Sequence, residues 1–78
     1  MRIDKFLKLT KLIKRRTIAK QILDANKVRV NDRIVKPSYE VKLNDIIEIG
    51  FSRINFKVRV NKIFIPKNDE YLDMYENI

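Results

Sequence analysis

The chain has neither cysteine nor histidine among its 78 residues. Without cysteine there is no disulfide framework, and the composition fits a reducing compartment. Without both residues the usual zinc sites and the Ser-His and Cys-His nucleophilic pairs are excluded. Gly50 is the single glycine, so neither a P-loop nor a dinucleotide-binding loop can form. The ten acidic residues are scattered and offer no hard-metal cluster. These absences argue against an enzyme, and no cofactor or metal is expected. No apolar run approaches the ~20 residues of a membrane span. Asp4, Lys5, Lys8 and Lys11 interrupt the stretch where a signal peptide needs continuous apolar residues. The expectation is a cytoplasmic protein of one small domain with a thin core.

What the chain has in quantity is positive charge. Eighteen Lys and Arg against ten Asp and Glu give +8. The imbalance is graded: residues 1–36 carry +9, residues 37–67 carry +3, and residues 68–78 carry −4 with no base at all. A basic front half with an acidic tail points to nucleic acid. An anionic membrane surface is the weaker reading, because it needs a basic amphipathic helix.

The hydrophobic pattern predicts an α+β fold: two N-terminal helices on a small, mostly antiparallel sheet, with a C-terminal helix. Ile3, Phe6, Leu7 and Thr10 have helical spacing, and Asp4 is the expected N-cap, its carboxylate also placed to pair with Arg2. Thr17 is the expected cap of a second helix with an Ile18, Ala19, Ile22, Leu23 stripe, and Asn26 ends it. VRVNDRIV reads as a hairpin turning at Asn31-Asp32. Residues 46–49 read as a buried strand. Residues 54–60 alternate, placing Ile54, Phe56, Val58 and Val60 on one face. Ile63, Phe64 and Ile65 extend or follow that strand. Tyr71, Met74, Tyr75 and Ile78 form a helical stripe behind an N-cap at Asn68. Residues 1–66 thus make the domain and residues 67–78 an acidic tail with a short helix, its stripe covering its own sheet. Phe6, Phe51, Phe56 and Phe64 read as core rather than as stacking platforms; Tyr39 stays open.

The segment KLIKRRT, residues 11 to 17, holds Lys11, Lys14, Arg15 and Arg16. It bridges the two helices, so Arg15 and Arg16 stand at a helix N-terminus, where free N–H groups attract phosphate. Arginine adds a planar fork matched to phosphate oxygens. Lys20 lies four residues beyond Arg16 and shares its face. Thr17 caps the helix or donates its hydroxyl to phosphate. Lys36 and Arg29 read as exposed strand charges, with Lys36 kept in the candidate set.

The ordered segments RIDKFL, RRTIAKQIL, VRVND and VKPSYEVKLNDIIEI resemble the S-four-type RNA-binding domain, also called the alpha-L motif, over about residues 1–50. Among its stand-alone members the chain is most similar to those of ribosome-associated quality control. The heat-shock protein fifteen type, an RNA chaperone or ribosome biogenesis or recycling factor with a longer basic extension, is the alternative. The resemblance implies the alpha-L fold and a monomer that binds large-subunit rRNA and peptidyl-tRNA on the split large ribosomal subunit. There it would support alanine tailing of stalled chains with a tRNA-recruiting tailing factor. Carried over by position, Arg2, Lys5, Arg15, Arg16, Thr17 and Lys20 form the RNA face, Arg2 and Arg16 foremost. Lys11 and Lys14 raise the local potential. The family usually has glycine where this chain has Asn26, Asp32 and Asn44, and Asp32 sets an acid near the proposed face.

Overall fold

A computed structural model of the protein describes residues 1–51 and 54–78, the side chains of Phe51 and Ile54 excepted. The core placements expected of those two residues lie outside the described residues. Helices α1 (Ile3–Leu9) and α2 (Arg16–Asp24) precede strands β1 (Val28–Val30), β2 (Arg33–Ile34), β3 (Ile46–Phe51) and β4 (Ile54–Val60). A 3-10 helix (Asn68–Asp73) and a last strand, β5 (Tyr75–Asn77), complete the chain. The strands form one antiparallel sheet in the order β2-β1-β3-β4-β5.

The α1 stripe works as its spacing predicts: Ile3, Phe6, Leu7 and Thr10 are all fully buried. Ala19 and Leu23 of α2 are buried with them, while Ile18 stays 41% exposed. The other side of the core comes from alternate strand residues: Val28 and Val30, Ile47 and Ile49, Val58 and Val60. Phe56 has the same parity as Val58 and Val60 but is 48% exposed, contrary to the core assignment. Parity fixes the face of a residue, not how far the covering helices reach.

The helix caps differ from expectation. Arg2, not Asp4, is the cap residue of α1, and it makes no side-chain cap bond. The first N–H groups of α1 are met by backbone carbonyls instead: Ile3 N–H donates to Tyr39 O at 2.8 Å and Asp4 N–H to Pro37 O at 3.4 Å. A loop distant in sequence thus replaces the cap, and the Asp4 carboxylate is released for other partners. Arg15, not Thr17, is the cap residue of α2, again without a side-chain bond. The helix end is as expected, with Asn26 left-handed at φ 61° and its N–H donating to Leu23 O at 3.1 Å.

Asn31 and Asp32 both have positive φ, 52° and 68°, the signature of a two-residue type I′ hairpin turn. Asn44 is also left-handed, at φ 70°. All three positions where the family usually has glycine therefore take the backbone that glycine favours. A buried carboxylate locks the region. Asp45 accepts from Asn31 Nδ2 at 3.0 Å, Tyr39 OH at 2.9 Å and Lys42 N–H at 2.9 Å. Burial pushes the Tyr39 phenol above its ordinary pKa, and the bond to the charged Asp45 adds to the rise. Tyr39 therefore serves the loop that caps α1. Replacing Asp45 by alanine is expected to cost about 2 kcal/mol, since its hydrogen bonds are charge-assisted and two partners are near water. The urea midpoint should drop by roughly 2 M at the slope of a small domain.

The tail departs most from the pattern. Its stripe divides: a 3-10 helix capped by Lys67 ends at Asp73, and Tyr75–Asn77 is a strand. Asn68 is a left-handed residue, φ 53°, rather than the cap. Beyond Val60 the backbone leaves the sheet, so Ile63 and Phe64 pack on the core from a loop and Ile65 is exposed. That exit leaves the edge of β4 open, and an open edge is a template for pairing. β5 takes it, with Val58 opposite Asn77 and Val60 opposite Tyr75. Met74, just before the strand, is fully buried.

Candidate nucleic-acid interface

The N-termini of the two helices meet at one carboxylate. Asp4 sits in the first turn of α1, fully buried. Arg2 grips it with two bonds, Nε to Oδ1 at 3.2 Å and Nη2 to Oδ2 at 3.1 Å. Arg16, the first residue of α2, donates from Nη2 to Oδ1 at 3.3 Å. The Lys5 N–H completes the shell at 2.8 Å. Burial pushes the Asp4 carboxyl up, but the Arg16 and Lys5 hydrogen bonds and the charges of Arg16 and Arg2 outweigh it. The group is held below the ordinary aspartate range.

The same contacts orient the arginines. The two side chains are 45% and 43% exposed, so each guanidinium is anchored at one edge and open elsewhere. A guanidinium has five N–H donors. Asp4 uses two from Arg2 and one from Arg16, which leaves most of each fork for a ligand. One buried acid neutralises one of the two cations, so the center keeps a positive charge.

The start of α2 adds to this. It has no side-chain cap and no acid in its first turn. Arg15 and Arg16 stand where the helix dipole disfavours cations. Among the described residues only the Asp4 carboxylate, reached through Arg16, offsets that positive end, and an anion bound there would add to it.

The structure gathers some candidates and separates others. Arg2, Arg16, Arg15 and Lys5 surround the start of the two helices, and Lys20 lies one turn along α2. Thr17 is exposed within the first turn of α2 and is not a cap. Lys11 and Lys14 fall beyond the far end of α1, about 10 Å along a seven-residue helix. Lys36 adjoins Pro37 behind α1, but its ammonium is held by Asn26 Oδ1 at 3.0 Å. Cations on the outer sheet face are matched by acids instead. Glu48 lies between Arg29 and Lys57 in register, and Arg59 pairs with Glu76. Asp32 shares a cleft with Glu48 and Lys57 on that side. The start of the two helices therefore gathers Arg2, Lys5, Arg15 and Arg16 around the single acid Asp4.

A model of the S4 domain matches residues 1–47. The chain belongs to the S4 domain family. Along its whole length it is 39% identical to the RQC P-site tRNA stabilizing factor of Streptococcus pneumoniae, of which it covers 90%. Against the factor of the same name from Bacillus subtilis the identity is 40%, over 96% of this chain and 88% of that one. The Listeria innocua protein of that name is 45% identical over 96% of this chain and 83% of its own length. The trimeric structure of Vibrio cholerae Heat Shock Protein 15 has a TM-score of 0.90 at 24% identity, covering 100% of this chain and 81% of that one. That likeness establishes the shared fold.

The S4 match takes in the whole Asp4 center. Pattern reading reached Asp4 with Arg2 but missed its bond to Arg16, twelve residues away. It also missed the contact of Lys11 Nζ with the Tyr71 ring, at 4.6 Å from the centroid. Neither has a periodic signature in the sequence. Among the described residues no helix is long and apolar enough to cross a membrane, and no group of acids could hold a metal ion.

Proposed function

We propose that this protein is a non-enzymatic, cytoplasmic RNA-binding factor of ribosome-associated quality control. It binds large-subunit rRNA and peptidyl-tRNA on the split large ribosomal subunit as a monomer. By holding the tRNA it supports alanine tailing of the stalled chain, together with a factor that recruits tRNA. The observation that carries this reading is the Asp4 center: two anchored, half-exposed guanidinium groups beside an uncapped helix start. Such a center suits the phosphates of folded RNA, read by shape. The full-length identity to P-site tRNA stabilizing factors supports the choice of RNA. At this center Arg2, Lys5, Arg15, Arg16, Thr17 and Lys20 make the contacts, while Lys11, Lys14 and Lys36 raise the potential around it.

Gradient sedimentation of lysate after ribosome stalling tests the assignment. The tagged protein is expected on free large subunits that carry peptidyl-tRNA. Raising salt from 50 to 200 mM should release it steeply, by about 1000-fold if six phosphates are contacted. Migration with precursor particles alone would favour a biogenesis factor of the heat-shock protein fifteen type. Migration at the top of the gradient would remove the ribosome from the proposal.

A further inference from the structure

A second basic feature lies away from the Asp4 center. Where α1 ends, a cavity of about 410 Å³ opens between the turn into α2 and the C-terminal tail. Lys8, Lys11 and Lys14 line it, with Leu9, Pro66 and Tyr71 among the other walls. The volume is within the range of small-ligand sites. Its composition is unusual for a lysine-rich surface, because three lysines share it with an aromatic residue and two apolar ones.

Lys11 is held in place twice over. It is left-handed, φ 60°, whereas the other non-glycine residues described with positive φ are Asn or Asp. A lysine in that conformation costs about 1–2 kcal/mol. Its N–H donates to Lys8 O at 3.1 Å, closing the end of α1. Its ammonium lies over the Tyr71 ring, an attraction between cation and ring quadrupole. The acidic tail thus contributes an aromatic ring to the basic face, and Tyr71 remains only partly buried there.

We propose that this cavity is a pocket for one unstacked nucleotide of single-stranded RNA. The base packs against Tyr71, Leu9 and Pro66, and the phosphate is taken by Lys8, Lys11 and Lys14. Each wall matches one part of a nucleotide: the ring and apolar side chains its base, the lysines its phosphate. A purely acidic peptide would use the lysines and leave the aromatic and apolar walls idle, whereas every nucleotide carries both a phosphate and a base. The inference rests on the RNA-binding reading above and adds a second site to it, about one helix length from Arg2.

Full-length protein labelled with nitrogen-15 is titrated with two probes, hexauridylate and an RNA stem-loop. Hexauridylate is expected to shift the amides of Lys8–Lys14 and Lys67–Tyr71. Tyr71→Ala should weaken hexauridylate binding about tenfold, leave the salt slope unchanged, and leave the stem-loop bound as before. Tyr71→Phe should restore affinity, since the ring is kept. Lys14→Ala should lower the slope of log K against log salt by about 0.7. If Tyr71→Ala loosens the tail, Tyr71→Leu keeps an apolar wall without the ring and should lose the same tenfold. The pocket is overturned if Tyr71→Leu binds hexauridylate like wild type, or if an acidic peptide competes as well as the RNA. Binding of the stem-loop without hexauridylate overturns the pocket alone. Binding of neither probe overturns the RNA-binding reading itself.

Discussion

Replacing Arg2 and Arg16 together by alanine is expected to weaken RNA binding by about 100-fold or more. On the proposed reading each half-exposed guanidinium would supply charge-assisted hydrogen bonds to phosphate, at roughly 1.5–3 kcal/mol apiece. The slope of log K against log salt should fall by about 1.4–1.8, because two phosphate contacts are lost. The double variant also carries a cost to the fold. Asp4 is fully buried, and without the arginines only the Lys5 N–H at 2.8 Å remains to it. Breaking a buried pair by removing one side costs about 3–5 kcal/mol, which is a large share of the stability of a small domain. A urea melt must therefore accompany every binding curve. Arg2→Lys with Arg16→Lys separates the two effects. Lysine keeps the charge for Asp4 but cannot span Asp4 and a phosphate with one rigid fork. That variant should remain folded and bind about tenfold more weakly. A folded double-lysine variant with wild-type affinity would mean that the forks do not read the RNA. A folded double-alanine variant with wild-type affinity would place the interface elsewhere.

The elements that carry these residues were legible because their signals are local. Helical spacing of Ile3, Phe6, Leu7 and Thr10 determines one face, and that face is buried to the last residue. Asn31 and Asp32 tolerate the left-handed backbone that a tight hairpin requires, and both adopt it. What escaped the pattern is contact between distant segments. Asp4 and Thr17 look like caps because capping is judged from a residue and its next few neighbours. The carbonyls of Pro37 and Tyr39 do that work for α1, and no local window contains them. The tail is not legible in the pattern for a related reason. Tyr71, Met74 and Tyr75 fit a helix, but the unpaired edge of β4 offers backbone partners that periodicity does not register. The arginines could be picked out as a charged run at a helix start. Their convergence depends on a buried acid from another helix, and only the folded chain brings the three together.

Asp4 itself provides the sharper experiment, because two effects on binding oppose each other. Asp4→Asn removes a negative charge beside the phosphate site. At ~7 Å in water that change favours RNA by about 0.6 kcal/mol. It also frees both guanidinium groups, and fixing each long side chain on binding then costs about 0.5–1.5 kcal/mol. The second effect is larger, so affinity should fall about fivefold although the net charge rises. Stability should fall as well, by about 2 kcal/mol, since the lost bonds are charge-assisted but the arginines remain in contact with water. The pH dependence follows from the direction of the pKa shift. The folded carboxyl is held below its ordinary value near 3.8. The stabilisation from Asp4 is therefore complete well above that value and is lost as pH falls through the folded pKa. Urea melts of wild type and Asp4→Asn should differ most near neutrality and converge in acid, below pH ~3.8. Titration of the Asp4 carboxyl by NMR locates the folded pKa, and a gap that does not shrink as pH falls through it would show that the ionised carboxylate is not what holds the helix starts together. Tighter RNA binding by Asp4→Asn would show that Asp4 acts only as a nearby negative charge and does not orient Arg2 and Arg16.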